Sequence, residues 1–352
     1  MTQAPLRTAV VGLGWVAQAR HIPAIQRNDA FELVGVVDRS PGRAASVAGR
    51  LGVDRHAEAS SLADVDWFDD IDAISIATAP MAHHDLACEA LSLGRHVITE
   101  KPFAMTVDEG RAMCSASASA QRTLAVVHNF QFARSMAALR RDLDAGRLGA
   151  LTGVRAVQLG NPSRRLPTWY EDLPLGLFYD ESPHLLYLLR SVAGPLSLKK
   201  AVSLESRHGS ATPAQIDIWF SSETADYPIT MCCNFESALS EWHLFVHGEK
   251  SVAIVDIFRD IYIRLPNDKA HATGDVLKTS LLTTLQHWGQ HVTSGVPHLM
   301  GRLLYGNTEV FQRFADAVRG GPSTLQPIAA QTAFETLALQ HQIIDEREII
   351  AA

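Results

Sequence analysis

The chain has 352 residues, 47% hydrophobic and 20% charged, with a net charge of −7. That length allows two domains with proper cores, and the acidic balance, with no block of lysines or arginines, argues against a nucleic-acid partner. No uncharged apolar run reaches the roughly 18 residues of a membrane span, so no membrane partner is expected either.

Met1 to Thr8 has no apolar signal-peptide core. The four cysteines, Cys88, Cys114, Cys232 and Cys233, lack metal-ligand spacing. Reduced thiols in a cytoplasmic protein without a metal are expected. Cys232 and Cys233 are adjacent in a strand-like run and should point to opposite faces.

In chain order, Ala9-Val10-Val11 enters Gly12-Leu13-Gly14-Trp15-Val16-Ala17, a β-branched run followed by a glycine turn. Gly12 permits the turn, Gly14 lets backbone approach a pyrophosphate, and the amides at the next helix start face that anion. Pro23 should kink or break this helix near His21. Asp38 ends the apolar run from Phe31, where an acid accepts hydrogen bonds from the adenosine ribose. Its charge repels a 2′-phosphate and favours NAD, while Arg39 is a guanidinium that suits NADP.

Leu33–Val37, Ala73–Ala77, His96–Thr99 and Thr123–Val127 read as buried strands, and 41–51, 82–93 and 107–120 as helices. Alternating β and α predicts a doubly wound parallel Rossmann sheet over residues 1–128. Glu100-Lys101-Pro102 follows a strand, at the edge where open α/β sheets bind ligands. A lysine there can stabilise a developing alkoxide over a nicotinamide. An ordinary Glu100–Lys101 ion pair is the other reading.

After residue 128 the pattern changes to a helix over 132–145 and strands at 151–159, 199–206, 215–220, 229–235, 241–247, 251–257 and 261–265. Short turns between them predict an α+β domain over 129–352 with an open, mostly antiparallel sheet. Helices over 181–193, 276–294, 308–319 and 327–348 should cover one face. Arg164 and Arg165 beside Trp169 read as a loop that grips a phosphate or stacks on a sugar, or as a solvated charged loop. His287 and His291 have metal-ligand spacing but no accompanying glutamate, and no metal is expected. His243 and His247 should share a strand face. The apolar stretch from Leu281 to Tyr305 suits a domain-covering or oligomer helix.

The chain resembles the Gfo/Idh/MocA oxidoreductases, named for glucose–fructose oxidoreductase and inositol dehydrogenase. The matching features are Gly12-Leu13-Gly14, Asp38, Thr78 with His83, Gly94-Arg95-His96-Val97, Glu100-Lys101-Pro102, Asn129 and Asp180-Glu181-Ser182-Pro183-His184. The resemblance implies a Rossmann domain with NAD or NADP as cofactor, and a second domain whose sheet faces pack into homodimers or homotetramers. It implies catalytic Lys101, Asp180 and His184 around the reacting carbon. Cofactor contacts fall to Gly12, Gly14, Trp15, Val16, Asp38, Arg39, Thr78, His83, Glu100 and Lys101.

Substrate contacts fall to Asn129, Arg164, Arg165, Trp169 and Tyr187. Asp180 and His184 share a face if a helix begins near Asp180, and an imidazole titrates in the range that proton exchange needs. Departures lie on the substrate side: Ser182 stands at a glycine position, Tyr187 where many relatives have an aspartate, and only Gly176 remains of a Gly-rich run. The expected function is an NAD(P)-dependent oxidoreductase acting on a secondary alcohol or ketone of a sugar, cyclitol or nucleotide-linked deoxysugar, with chemistry in the cleft between domains. A glycoside hydrolase with a closed redox cycle and a dinucleotide-binding regulator are the alternatives.

Overall fold

A computed structural model describes residues 4–164, 166–300, 303–321 and 325–351. In chain order its elements begin with β1 (Leu6–Val11), α1 (Ile22–Gln26), β2 (Phe31–Val37), α2 (Arg43–Leu51), β3 (Arg55–Ala57) and β4 (Ala73–Ile76). They continue with α3 (His83–Ser92), β5 (His96–Thr99), α4 (Val107–Ala120), β6 (Leu124–Val126), α5 (Arg134–Asp144), β7 (Leu151–Leu159) and α6 (Leu177–Ala193). Then come β8 (Ser197–Leu204), β9 (Gln215–Ser222), β10 (Ala225–Asn234), β11 (Glu241–Gly248), β12 (Ser251–Asp256) and β13 (Ile261–Pro266). The chain closes with α7 (Thr273–Leu299), α8 (Asn307–Val318), α9 (Ala330–Glu346) and β14 (Glu348–Ile350).

The chain folds as two compact units. One is Met1–Asn129 with Gly306–Ala338, the other Phe130–Tyr305 with Leu339–Ala352. Residues 306–338, which the sequence pattern assigns to the second domain, thus fold with the first. The packing explains why. On α8, buried Phe311 and Phe314 meet Phe31 with ring centroids at 5.8 and 6.4 Å.

The first unit holds a six-stranded sheet in the order β3-β2-β1-β4-β5-β6, every pair parallel. Its strands are nearly continuous in buried β-branched and small residues, as a sheet covered on both faces requires. β3 carries no apolar run (Arg-His-Ala), and pattern reading passes over it. Pro23 has the anticipated effect. The helix that opens at Trp15 passes through a π segment, Ala17–His21, with Ile22 N–H bonded to Ala17 O, before continuing as α1. Proline supplies no N–H to the regular ladder, so the register shifts just ahead of it.

The second unit holds an eight-stranded sheet in the order β13-β12-β11-β7-β10-β9-β8-β14. Pairs β7–β10 and β8–β14 are parallel and the rest antiparallel. Residues 348–350 are therefore a strand, where the sequence suggests the end of a helix. Alternate residues of the central strands, among them Ala156, Met231, Leu244 and Ile218, point at the buried leucines of α6. Cys233 lies on that buried face and Cys232 on the opposite one.

Helix α6 starts a turn earlier than expected and carries Pro183 inside it. The missing Pro183 N–H leaves the Tyr179 carbonyl without its helical donor, a cost of about 3 kcal/mol or more for an uncompensated interior proline. Gln340 of α9, fully buried, donates its amide to Tyr179 O at 2.7 Å and to Ser182 Oγ at 2.8 Å. This one side chain repairs the ladder and engages the serine at the glycine position. Gln340→Leu should destabilise the protein by about 1–3 kcal/mol, the cost of leaving a buried acceptor unmet, read as a lower denaturant midpoint. An unchanged midpoint would refute the repair.

Candidate functional site

Strand order reverses at β1 and β4, whose carboxyl ends form the crevice of an open α/β sheet. Gly12 ends β1 with φ +83°, and a Cβ on it would lie 2.5 Å from Thr78 Cγ2 and 2.8 Å from the Thr78 amide nitrogen. Only glycine fits. Gly14 is exposed, and its Cβ position opens onto empty space, so a ligand can approach the backbone closely. Trp15 is 63% exposed under the Arg20 guanidinium, 4.9 Å from the ring, and Val16 is half-buried in the first helical turn. The Thr78 hydroxyl is buried with no hydrogen-bond partner among the described residues.

Buried Asp38 accepts from the Leu13 amide at 2.7 Å and the Ser40 amide at 2.8 Å. Burial works against its charge, but the Leu13 and Ser40 hydrogen bonds and Arg43 outweigh it and hold the carboxyl below its ordinary value. Arg39, the guanidinium singled out in the sequence, is exposed. Arg43, which the sequence reading passed over, stands 3.4 Å from Asp38.

The Glu100-Lys101-Pro102 loop leaves β5 beside this crevice, with a cis Lys101–Pro102 bond. Glu100 is bound by a histidine as well as by its neighbour's amide. Its Oε1 lies 2.7 Å from Nε2 of fully buried His21, and His21 Nδ1 lies 2.7 Å from Ser75 Oγ. Its other oxygen accepts the Lys101 amide at 3.1 Å. Burial raises the Glu100 pKa, but His21 and Lys101 outweigh it and the carboxyl stays below its ordinary value. Buried His83 ties two loops together, with Nδ1 2.8 Å from Pro102 O and Nε2 3.2 Å from Thr78 O, and burial pulls its pKa down. Sequence reading missed His21 and Ser75 as supports. The signal available was the broken helix before Pro23, which turns His21 inward.

In the second unit, Gly176 (φ +52°) starts α6 against Thr212, whose hydroxyl accepts the Leu177 amide at 2.9 Å. That leaves Asp180 half-buried in the first turn and His184 buried one turn on. His184 Nδ1 lies 2.8 Å from the Tyr187 hydroxyl, which accepts the Phe130 amide at 3.1 Å. Tyr187, expected at the substrate, is buried and bonded to both of these groups. Phe130 and Trp242 flank the imidazole at 4.8 and 5.3 Å between centroids.

Arg164 is paired with buried Glu181 at 2.5 Å, and Gln158 donates to the other oxygen of that carboxylate. Trp169 is half-buried beside a 3₁₀ turn, Asn129 is buried after β6, and Arg165 lies outside the described residues. Glu241, His243 and Asp256 converge on neighbouring strands, but Arg259 bridges both carboxylates at 2.5 and 2.6 Å. His287 and His291 stack on α7 with centroids 5.9 Å apart.

A 3-2-1-4-5-6 parallel sheet with an open glycine turn, an orphaned threonine hydroxyl at the crevice and an anionic second-strand acid fits a dinucleotide. This is the architecture of a dinucleotide-binding domain. Residues 6–128 match the model of the Gfo/Idh/MocA family, an oxidoreductase family with an NAD-binding Rossmann fold.

The chain is 32% identical to a D-glucoside 3-dehydrogenase of Escherichia coli over 45% of each protein. It is 26% identical to an inositol 2-dehydrogenase of Rhizobium meliloti over 77% of this chain and 79% of that one. A 3-ketoreductase of Actinomadura kijaniata, solved with NADP and TDP-benzene, has the same fold at 16% identity, TM-score 0.74 and 99% coverage of both chains. The matches to the first three curated relatives span about half their length, 45, 55 and 56%.

Gly12→Ala should weaken NAD binding at least tenfold in a fluorescence titration, because the new methyl meets Thr78 backbone and the positive φ strains any other residue. Wild-type affinity in this variant would remove the turn from the cofactor site.

Proposed function

We propose that the protein is an NAD(P)-dependent oxidoreductase that interconverts a secondary alcohol and a ketone on a sugar, cyclitol or nucleotide-linked deoxysugar. The observation that carries this reading is the loop of Lys101, braced through Glu100 and His21 at the carboxyl edge of the sheet, next to the Gly12 turn. The bound nicotinamide supplies hydride acceptance or donation. Lys101 hydrogen-bonds the substrate oxygen and stabilises alkoxide character there. His184, with Nδ1 held by Tyr187, exchanges the hydroxyl proton. Asp180 binds a neighbouring hydroxyl, and Asn129 and Trp169 complete the substrate contacts. Arg164 serves Glu181 first, so we give it a supporting role. The two curated relatives named above act on a glucoside and an inositol by name, which supports a polyol substrate.

NAD is the proposed cofactor, because Asp38 keeps its charge where a 2′-phosphate would lie. We place the protein in the cytoplasm on its four free cysteines and expect a homodimer or homotetramer. No described helix is long and apolar enough to cross a membrane.

Lys101→Ala should lower kcat/KM by about a thousandfold, the scale of a lost transition-state donor, while the NAD dissociation constant stays within about threefold. Unaltered turnover would refute the site. Net change in reduced-nicotinamide absorbance during polyol turnover separates this activity from a closed redox cycle, which shows none. Asp38→Ser should shift the NAD-to-NADP preference toward NADP by about tenfold or more, one lost charge repulsion being worth roughly 1.4 kcal/mol. A constant ratio would place cofactor choice elsewhere.

A further inference from the structure

Helix α7 is amphipathic the wrong way round. β13 is an edge strand, and α7 lies along its open side. Gln290 accepts from Tyr262 N–H at 2.8 Å and donates to Tyr262 O at 2.5 Å. Gln286 accepts from Arg264 N–H at 3.0 Å and donates to Arg264 O at 3.1 Å. A primary amide carries the same donor and acceptor as a peptide, so two glutamines one turn apart act as a further strand. The spacings agree: four helical residues rise about 6 Å and two strand residues about 6.7 Å. The sheet edge is thereby closed to strand pairing, and the rotation of α7 is fixed by its polar face.

The opposite face is apolar and bare. Leu277, Leu281, Leu285, Trp288, Val292 and Leu299 are 59–87% exposed. At 3.6 residues per turn they fall within an arc of about 80°, centred roughly 160° from the glutamines. Together they present on the order of 800 Å², the area one partner contributes to a standard interface and more than a typical monomer leaves bare.

We propose that this stripe is a self-association surface, where α7 of a second copy packs antiparallel across a two-fold axis near Trp288. Self-complementarity argues for a second copy. The stripe is uncharged, and the charged residues of α7 are one Asp275 and one Lys278, both in its first two turns. A two-fold pairs the Leu277 end of one helix with the Leu299 end of the other. A lipid surface would call for lysines and arginines flanking the apolar face, and the chain's net charge of −7 opposes an anionic bilayer. The surface is separate from the catalytic reading and from the sheet face implied by the family resemblance.

The test is the solution mass by light scattering at micromolar concentration, for wild type and for Leu285→Glu, a surface change that leaves the fold intact. Wild type should have at least twice the mass of one chain, and the variant half the wild-type mass with unchanged NAD affinity. Under oxidation Trp288→Cys should cross-link to itself while Leu277→Cys does not. A single-chain wild type, a variant of wild-type mass, a cross-link from Leu277→Cys with none from Trp288→Cys, or single chains that sediment with phosphatidylglycerol vesicles would each overturn the proposal.

Discussion

The first unit depends on backbone meeting backbone where β1 and β4 end. Gly12 sits against Thr78 so closely that no side chain fits between them. That approach brings the glycine turn, the Thr78 loop and the Glu100-Lys101-Pro102 loop to one edge of the sheet. Asp38 reinforces it from the other side, because its carboxylate is bound to the Leu13 amide within the turn. The acid that follows β2 is thus also a group that shapes the glycine turn.

Behind that edge, polar groups are buried in matched chains. Ser75, His21 and Glu100 form one, ending on the amide of Lys101. His83 lies between the Pro102 and Thr78 carbonyls and, as a neutral ring, donates to one of them. Buried polar networks of this kind stabilise only when their members are satisfied, and they then fix a single geometry. The loop that carries the lysine is accordingly held from beneath. In the second unit Tyr187 does the same for His184, with Phe130 and Trp242 limiting the ring's rotation.

The departures from the family pattern become intelligible as local exchanges. Ser182 and Pro183 would weaken α6 in isolation. Gln340 compensates for both, and it arrives from α9, more than 150 residues later in the chain. Gly176 opens α6 at a position where a Cβ would collide with Thr212.

The sequence by itself determined the alternation of elements, the parallel first sheet, the mostly antiparallel second one, the glycine turn with its acid and the cofactor class. These follow from local periodicity and from backbone demands that one or two residues express. Residues 55–57 form a strand that their composition conceals, because pairing with β2 supplies what propensity lacks. The return of residues 306–338 to the first unit, the His21–Glu100 brace, the Tyr187–His184 contact and the bare face of α7 were decided only by tertiary structure. Each joins groups distant in sequence, or depends on which side of an element meets its neighbour. Periodicity shows that α7 has a polar and an apolar face. Only the glutamine bonds to β13 show that the apolar one points outward.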